Sequence, residues 1–291
     1  MINFIIPGAY EHYQLNFKLL DLFHQYPQYF YPDINIEAVF GNFQFTIFEG
    51  GRIFTNYHHA TKELISDILY EYNQNFGVPV RLVFTNNQIT PEHYLDRFSN
   101  VTLKLAENNF NEIVINNDGL ENYIREKYPY FFFISSTTKC LNNTKLLKEE
   151  LNNEKYKMVC LDYNLNHNFS FLKTLTQEEK DKCEFLVNAI CPSGCPNRKE
   201  HYKLNGIYHL NYGKAYCMTH CPIKDSTLNP SVWNYPNNIS PEELYTTYKD
   251  LGFSHFKLEG RTLNQNEVAG NYVRYMIKPE YQLEAYFELT A

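Results

Sequence analysis

EIVINNDGLENYIREKYPYFFFIS, residues 112–135, is the stretch whose reading decides the fold. At its start Glu112, Val114 and Asn116 alternate with Ile113 and Ile115, the period of a β-strand with two unlike faces. Asp118 can cap an amphipathic segment over 119–127, and a second β-rich run covers 130–135. A strand, a helix and a strand in succession form one unit of a parallel sheet.

The same unit recurs along the chain in both directions. β-rich runs at 3–6, 35–40, 80–85, 112–116, 130–135, 157–161, 184–188 and 255–259 are separated by amphipathic segments near 12–25, 59–74, 91–107, 119–127, 144–152, 169–181 and 240–250, and a last one covers 264–277. Eight strand–helix units predict an α/β fold closed into a (β/α)8 TIM-like barrel. Thr90-Pro91-Glu92 and Ser240-Pro241-Glu242 each set a hydroxyl cap, a proline and an acid at a helix start. A single barrel domain over 1–291 follows, with one anomaly. Roughly 65 residues separate the seventh strand from the eighth, where a simple βα unit needs far fewer. Residues 189–239 are read as an insertion there, on the face of the barrel where active sites sit.

Composition bounds the partners. The 291 residues are 44% hydrophobic, enough for a sizeable core, and a net charge of −7 disfavours non-specific binding to nucleic acid or anionic membranes. The apolar start, Met1 to Pro7, is too short for an export signal and lacks a basic flank, and no run approaches a membrane span. With no export signal, seven cysteines point to a reducing cytoplasm, where thiols serve as metal ligands more often than as disulfides.

Four of those cysteines lie in the insertion. Cys191 and Cys195 are separated by three residues, and Cys217 and Cys221 repeat the spacing. Two such pairs can converge on one tetrahedral S4 metal site, which suits zinc or an iron–sulfur cluster. Zinc pairs more often use two-residue spacing. Pro192, Pro196 and Pro222 follow three of the four and predict a stiff, non-helical loop. Cys183 is a substitute ligand by position, while Cys140 and Cys160 read as core or loop cysteines. The pair His58-His59 has no nearby acid or cysteine spacing and reads as surface or a helix start.

At the strand ends the alternation brings polar groups to the barrel mouth. His255, Lys257 and Glu259 share one face of the eighth strand and should point inward, while Phe256 and Leu258 should meet the helices. Asn116, Asn188 and Asp162 end or follow three other strands. Arg198 and His201 follow the second cysteine, and Arg261 follows a glycine at a strand end, so each can clamp an anionic group. The bland readings are a Lys257–Glu259 pair, an Arg261–Glu259 salt bridge, Asn188 capping the cysteine loop and Asp162 in a turn.

Glu184 to Asn188, Cys191-Pro192, Cys195-Pro196-Asn197-Arg198 and His201-Tyr202, followed by Phe256-Lys257-Leu258-Glu259-Gly260-Arg261, resemble the collagenase-like peptidase family, U-type family thirty-two. That family includes oxygen-independent hydroxylases of ubiquinone biosynthesis and of RNA bases. The match covers about the last third of the chain. Glu49-Gly50-Gly51-Arg52 and Thr85-Asn86-Asn87 are similar to an uncharacterised branch. The cysteines here are more compact than in the peptidase-named members. The resemblance implies a barrel whose four cysteines, Cys191, Cys195, Cys217 and Cys221, hold a four-iron–four-sulfur cluster, with structural zinc as the alternative.

Three functions are compatible with this reading. The first is a cluster-dependent oxidoreductase acting on a small molecule, a peptide or a nucleic-acid base, with oxygen-independent hydroxylation implied by the resemblance. There Glu259, Lys257 and His201 are the acid/base candidates, and Arg198, Arg261, Asn188, Asn116 and Asn86 the substrate contacts. The second is a peptidase-like hydrolase, for which the sequence offers no recognisable nucleophile–base pair. The third is a non-catalytic subunit that carries a cluster beside another member of the same family.

Overall fold

A computed structural model describes residues 1–53, 60–214 and 235–291. Eight strands, β1 (Ile2–Pro7), β2 (Ile34–Gly41), β3 (Val80–Phe84), β4 (Glu112–Ile115), β5 (Phe132–Ser135), β6 (Met158–Cys160), β7 (Cys183–Leu186) and β8 (His255–Lys257), pair in chain order. All neighbours are parallel, and β8 returns to β1 with Asn3 opposite His255 and Ile5 opposite Lys257, closing the barrel. Each strand lies within two residues of its expected position.

The helices are α1 (Tyr13–Gln25), α2 (Lys62–Tyr70), α3 (Arg97–Ala106), α4 (Asp118–Lys127), α5 (Thr144–Leu151), α6 (Phe169–Leu172), α7 (Gln177–Asp181), α8 (Arg198–Leu210), α9 (Pro241–Glu243), α10 (Gln265–Met276) and α11 (Gln282–Thr290). The α4 unit shows why they form. Asn117, one residue before the expected cap, accepts the Leu120 amide, and Asp118 then stands in the first turn with Glu121. Arg125 and Lys127 occupy the last turn, so both ends complement the helix dipole. Leu120 and Ile124 face the core, and Arg125 lies 3.8 Å above the Phe133 ring. The amphipathic segment expected over 169–181 divides because Thr176 forms a capping box with Glu179 and starts a new helix. Two helices had no counterpart in the sequence reading: α11, and α8 inside the cysteine insertion. Pro192 and Pro196 precede α8 rather than exclude it.

The predicted alternation holds in three dimensions. Phe4, Ile6, Leu82, Phe84, Ile113, Ile115, Phe185, Phe256 and Leu258 pack outward in the large core shared with the helices. Ile5, Ala38, Phe40, Val83, Val114, Ile134 and Met158 form a separate cluster inside the barrel. A bulge in β2 tunes that interior. Phe4 is opposite Ile36 and Ile5 opposite Ala38, leaving Glu37 as the extra residue. Both Glu37 and Ala38 thereby reach the interior, where Glu37 meets Arg81 and His255.

No helix among the described residues is long and apolar enough to cross a membrane.

Candidate active site at the barrel mouth

Charge fills the N-terminal end of the barrel below the apolar layer. Arg81, fully buried, bonds Glu112 through Nε and Glu184 through Nη1, and its Nη2 lies 3.4 Å from Glu37. Glu37 accepts from His255 Nδ1 at 2.6 Å, Lys157 reaches Glu112 at 2.5 Å, and Lys257 Nζ lies 3.2 Å from Glu184 Oε1. Burial alone would raise the Glu184 pKa. Lys257 and Arg81 outweigh it and hold the group down at about 2. Every buried carboxylate here thus has a cation, the condition under which burial of charge is tolerated.

Above the apolar layer a cavity of about 70 Å³ opens at the C-terminal face. Phe40, Val83, Val114 and Leu186 form its apolar walls, with Cys160, Tyr163, Tyr202, Thr85 and the hydroxyls of residues 136–138 around them. Lys257, Arg52, Glu259 and Arg261 supply its charge. Lys257 also lies 4.1 Å from the Phe40 ring centre. The Tyr163 hydroxyl and Thr85 Oγ1, on two residues that line the cavity, are buried without a hydrogen-bond partner among the described residues.

The cations are paired, though not as the sequence suggested. Lys257 pairs with Glu184, Arg52 from the β2–α2 connection pairs with Glu259, and Arg261 pairs with Glu49. Glu11 lies 3.8 Å from Arg261. Its pKa is raised to about 7, chiefly by burial and also by Glu49, with Arg261 opposing. One arginine therefore serves two buried carboxylates, and Glu11 gives up its proton only near neutrality.

The cysteine turn adjoins this cavity. Cys191 and Cys195 are partly exposed and in no disulfide, and Cys191 packs against Tyr163, Leu186 and Ala189. The amide of Ile190 donates to Glu259 Oε2 at 2.9 Å, so a carboxylate lining the cavity also holds the residue before Cys191. Asn188 ties the ends of β7 and β8 by accepting the Glu259 amide (2.6 Å) and donating to its carbonyl (3.0 Å). Cys217, Cys221 and His58-His59 lie outside the described residues. Cys191 and Cys195 stand on one turn at the active-site face, partly exposed, and thiols are the donor type that an iron–sulfur cluster takes. Among the described residues alone, no three His, Cys, Asp or Glu side chains form a metal cage. Cys183 is a poor substitute ligand. It begins β7 at the far end of the barrel, fully buried, with its thiol 3.2 Å from the Glu179 carbonyl.

Of the acid/base candidates, Glu259 and Lys257 line the cavity, whereas His201 sits partly exposed on α8 and does not. Arg261 lines it as well. Arg198 is buried on α8, donating to Asp162 (2.8 Å) and to the Thr137 carbonyl (2.9 Å), with its guanidinium 3.9 Å above the Tyr163 ring. Asn116 donates to Thr138 Oγ1 at 2.9 Å. Asn86 fastens β3 to neighbouring segments through the carbonyls of Ile47 (2.7 Å) and Gly206 (3.1 Å). A Cβ on Gly206 would stand 2.4 Å from Asn86 Oδ1, and one on Gly50 would stand 2.6 Å from its Cα, so both glycines permit this close packing. Arg198, Asn188, Asn116 and Asn86 thus frame the mouth without lining the cavity.

Sequence reasoning missed Arg81, Glu184, Glu49, Glu11, Tyr163 and the cavity-lining Cys160. The first two carried a signal, since a charged residue on the inward face of a strand must find a partner there. Glu11 and Glu49 stand in loops, where no periodicity marks direction.

No protein-family model matches the chain, and no curated protein matches it. Among solved structures, one titled "The Structure of the U32 Peptidase Mk0906" is similar, with a TM-score of 0.49 and 12% identity over 89% of this chain and 93% of that chain.

Proposed function

We propose that this chain is an iron–sulfur-dependent enzyme that modifies a small molecule, or a single peptide residue or nucleic-acid base, inserted into the barrel-mouth cavity. Cys191 and Cys195, with Cys217 and Cys221, would hold the cluster. One observation carries the reading: Glu259 lines the cavity and accepts the amide of Ile190, immediately before Cys191. That contact supports reading the thiol turn and the cavity as one site.

A cluster bound there supplies electrons, or an open iron position for substrate. The chain's own residues do the rest. Phe40, Val83, Val114 and Leu186 exclude water from the substrate, and Tyr163 and Thr85 offer hydrogen bonds that fix its orientation. Lys257 and Glu259 face the substrate and are placed to hold or accept a proton. By resemblance, the reaction is an oxygen-independent hydroxylation that draws its oxygen from an organic donor. Hydrolysis is less well served, because no Ser–His or Cys–His pair lines the cavity among the described residues.

The test is metal and sulfide analysis of the anaerobically prepared chain. Iron with acid-labile sulfide and a brown colour is expected, both lost in Cys191→Ser. A colourless protein with stoichiometric zinc would replace this reading with a structural metal.

A further inference from the structure

We infer that Asn164 is a positioning residue for the Cys191–Cys195 turn. The inference rests on the proposed cluster site for its purpose, but not for its geometry. The turn has two anchored ends. At Cys191 the preceding amide is held by Glu259, and the Cys191 carbonyl accepts from Asn237 Nδ2 at 3.3 Å. At Cys195 the adjacent Gly194 takes a left-handed φ of 67°, and its amide donates to Asn164 Oδ1 at 2.8 Å. Ser193 Oγ lies 3.4 Å from the same oxygen.

Asn164 is itself oriented from beneath. Its Nδ2 donates to Asp162 Oδ1 at 2.9 Å, and its backbone amide donates to that same oxygen at 3.0 Å. The other carboxylate oxygen of Asp162 receives Arg198 Nη1 at 2.8 Å. A chain of hydrogen bonds therefore runs from Arg198 of α8, through Asp162 and Asn164 in the loop after β6, to the turn that carries the thiols. The arrangement has the form of an outer layer of contacts, which orients ligands it does not itself supply. Asn164 is exposed and contributes no apolar packing, so its removal leaves the barrel intact.

The experiment compares the full-length chain with Asn164→Ala and Asn164→Asp. Iodoacetamide alkylation of the metal-free protein is followed separately at Cys191 and Cys195 by peptide mass spectrometry. Loss of metal from the as-prepared protein to EDTA is followed alongside. In Asn164→Ala, Cys195 should alkylate about fivefold faster, the size set by one lost hydrogen bond, while Cys191 keeps its rate. Metal loss should accelerate by a similar factor at unchanged Tm. Asn164→Asp keeps an oxygen for the Gly194 amide but loses the Nδ2 donor to Asp162 and sets two carboxylates side by side, so it should fail to restore either rate. A wild-type Cys195 rate in Asn164→Ala, equal acceleration at both cysteines, or wild-type rates in Asn164→Asp would overturn the inference. If the wild-type chain holds no metal, the functional reading fails, and the alkylation arm still decides the role of Asn164.

Discussion

Arg81→Met tests whether the charged end of the barrel is as tightly matched as its geometry implies. The substitution keeps most of the side-chain volume and removes the one cation shared by Glu112, Glu184 and Glu37. Breaking a buried ion pair costs about 3–5 kcal/mol. Lys157, Lys257 and His255 still contact the three carboxylates, which sets the expected loss near the lower figure, about 3 kcal/mol. The Glu184 pKa gives the same size. Held down from its usual 4.5 to about 2, it contributes at most about 3 kcal/mol, shared between Lys257 and Arg81. The sign follows from a folded-state pKa that is depressed. The contribution is complete above the unfolded value of 4.5 and is lost as pH falls through about 2. Urea unfolding followed by far-ultraviolet circular dichroism at pH 7 and pH 3 is the assay. The deficit of Arg81→Met should be about 3 kcal/mol at pH 7 and roughly half that at pH 3. A deficit below about 1 kcal/mol at pH 7, or one that grows on acidification, would refute the reasoning.

Other outcomes follow from the same geometry. Glu11 has a raised folded-state pKa of about 7, so its contribution to stability is complete below 4.5 and lost as pH rises through 7. In urea unfolding Glu11→Gln should therefore be more stable than the wild type at pH 8 by up to about 3 kcal/mol and similar to it at about pH 4, and an unchanged pH profile would disprove it. Cys183→Ala should lower stability by about 1–2 kcal/mol while leaving the metal content intact. Loss of metal in that variant would bring the substitute-ligand reading back. Asn188→Ala removes both bonds between the ends of β7 and β8 and should cost about 2 kcal/mol in the same unfolding assay; a loss within error would show that backbone pairing alone holds the strands.

The barrel was legible because its signal is local and repeated. Ile113 and Ile115, or Phe256 and Leu258, announce their outward face within a few residues, and Ser240 caps α9 as read, whereas Thr90 starts only a short 3-10 turn and Asp96 caps α3. Ion-pair partners were not legible, because pairing depends on loops that return from distant parts of the chain. Lys257 and Glu259 are neighbours on one strand face, yet each is matched from elsewhere, by Glu184 of β7 and by Arg52 after β2. The α8 helix escaped notice because prolines and cysteines precede it. Its buried face is carried by Arg198, Tyr202, Asn205 and His209, which do not read as an apolar stripe. The inward-facing Glu259 and Lys257 were found for the reason given in the sequence, the two-residue period of β8.

The central claim is that the cysteine turn and the cavity are one site joined by Glu259. Electron paramagnetic resonance of the reduced, anaerobically prepared chain, with and without Glu259→Gln, tests it most directly. The account predicts a cluster signal that changes line shape or midpoint potential when the Glu259 charge is removed, at unaltered iron content. A cluster signal identical in both proteins would contradict it, as would a reduced protein with no such signal.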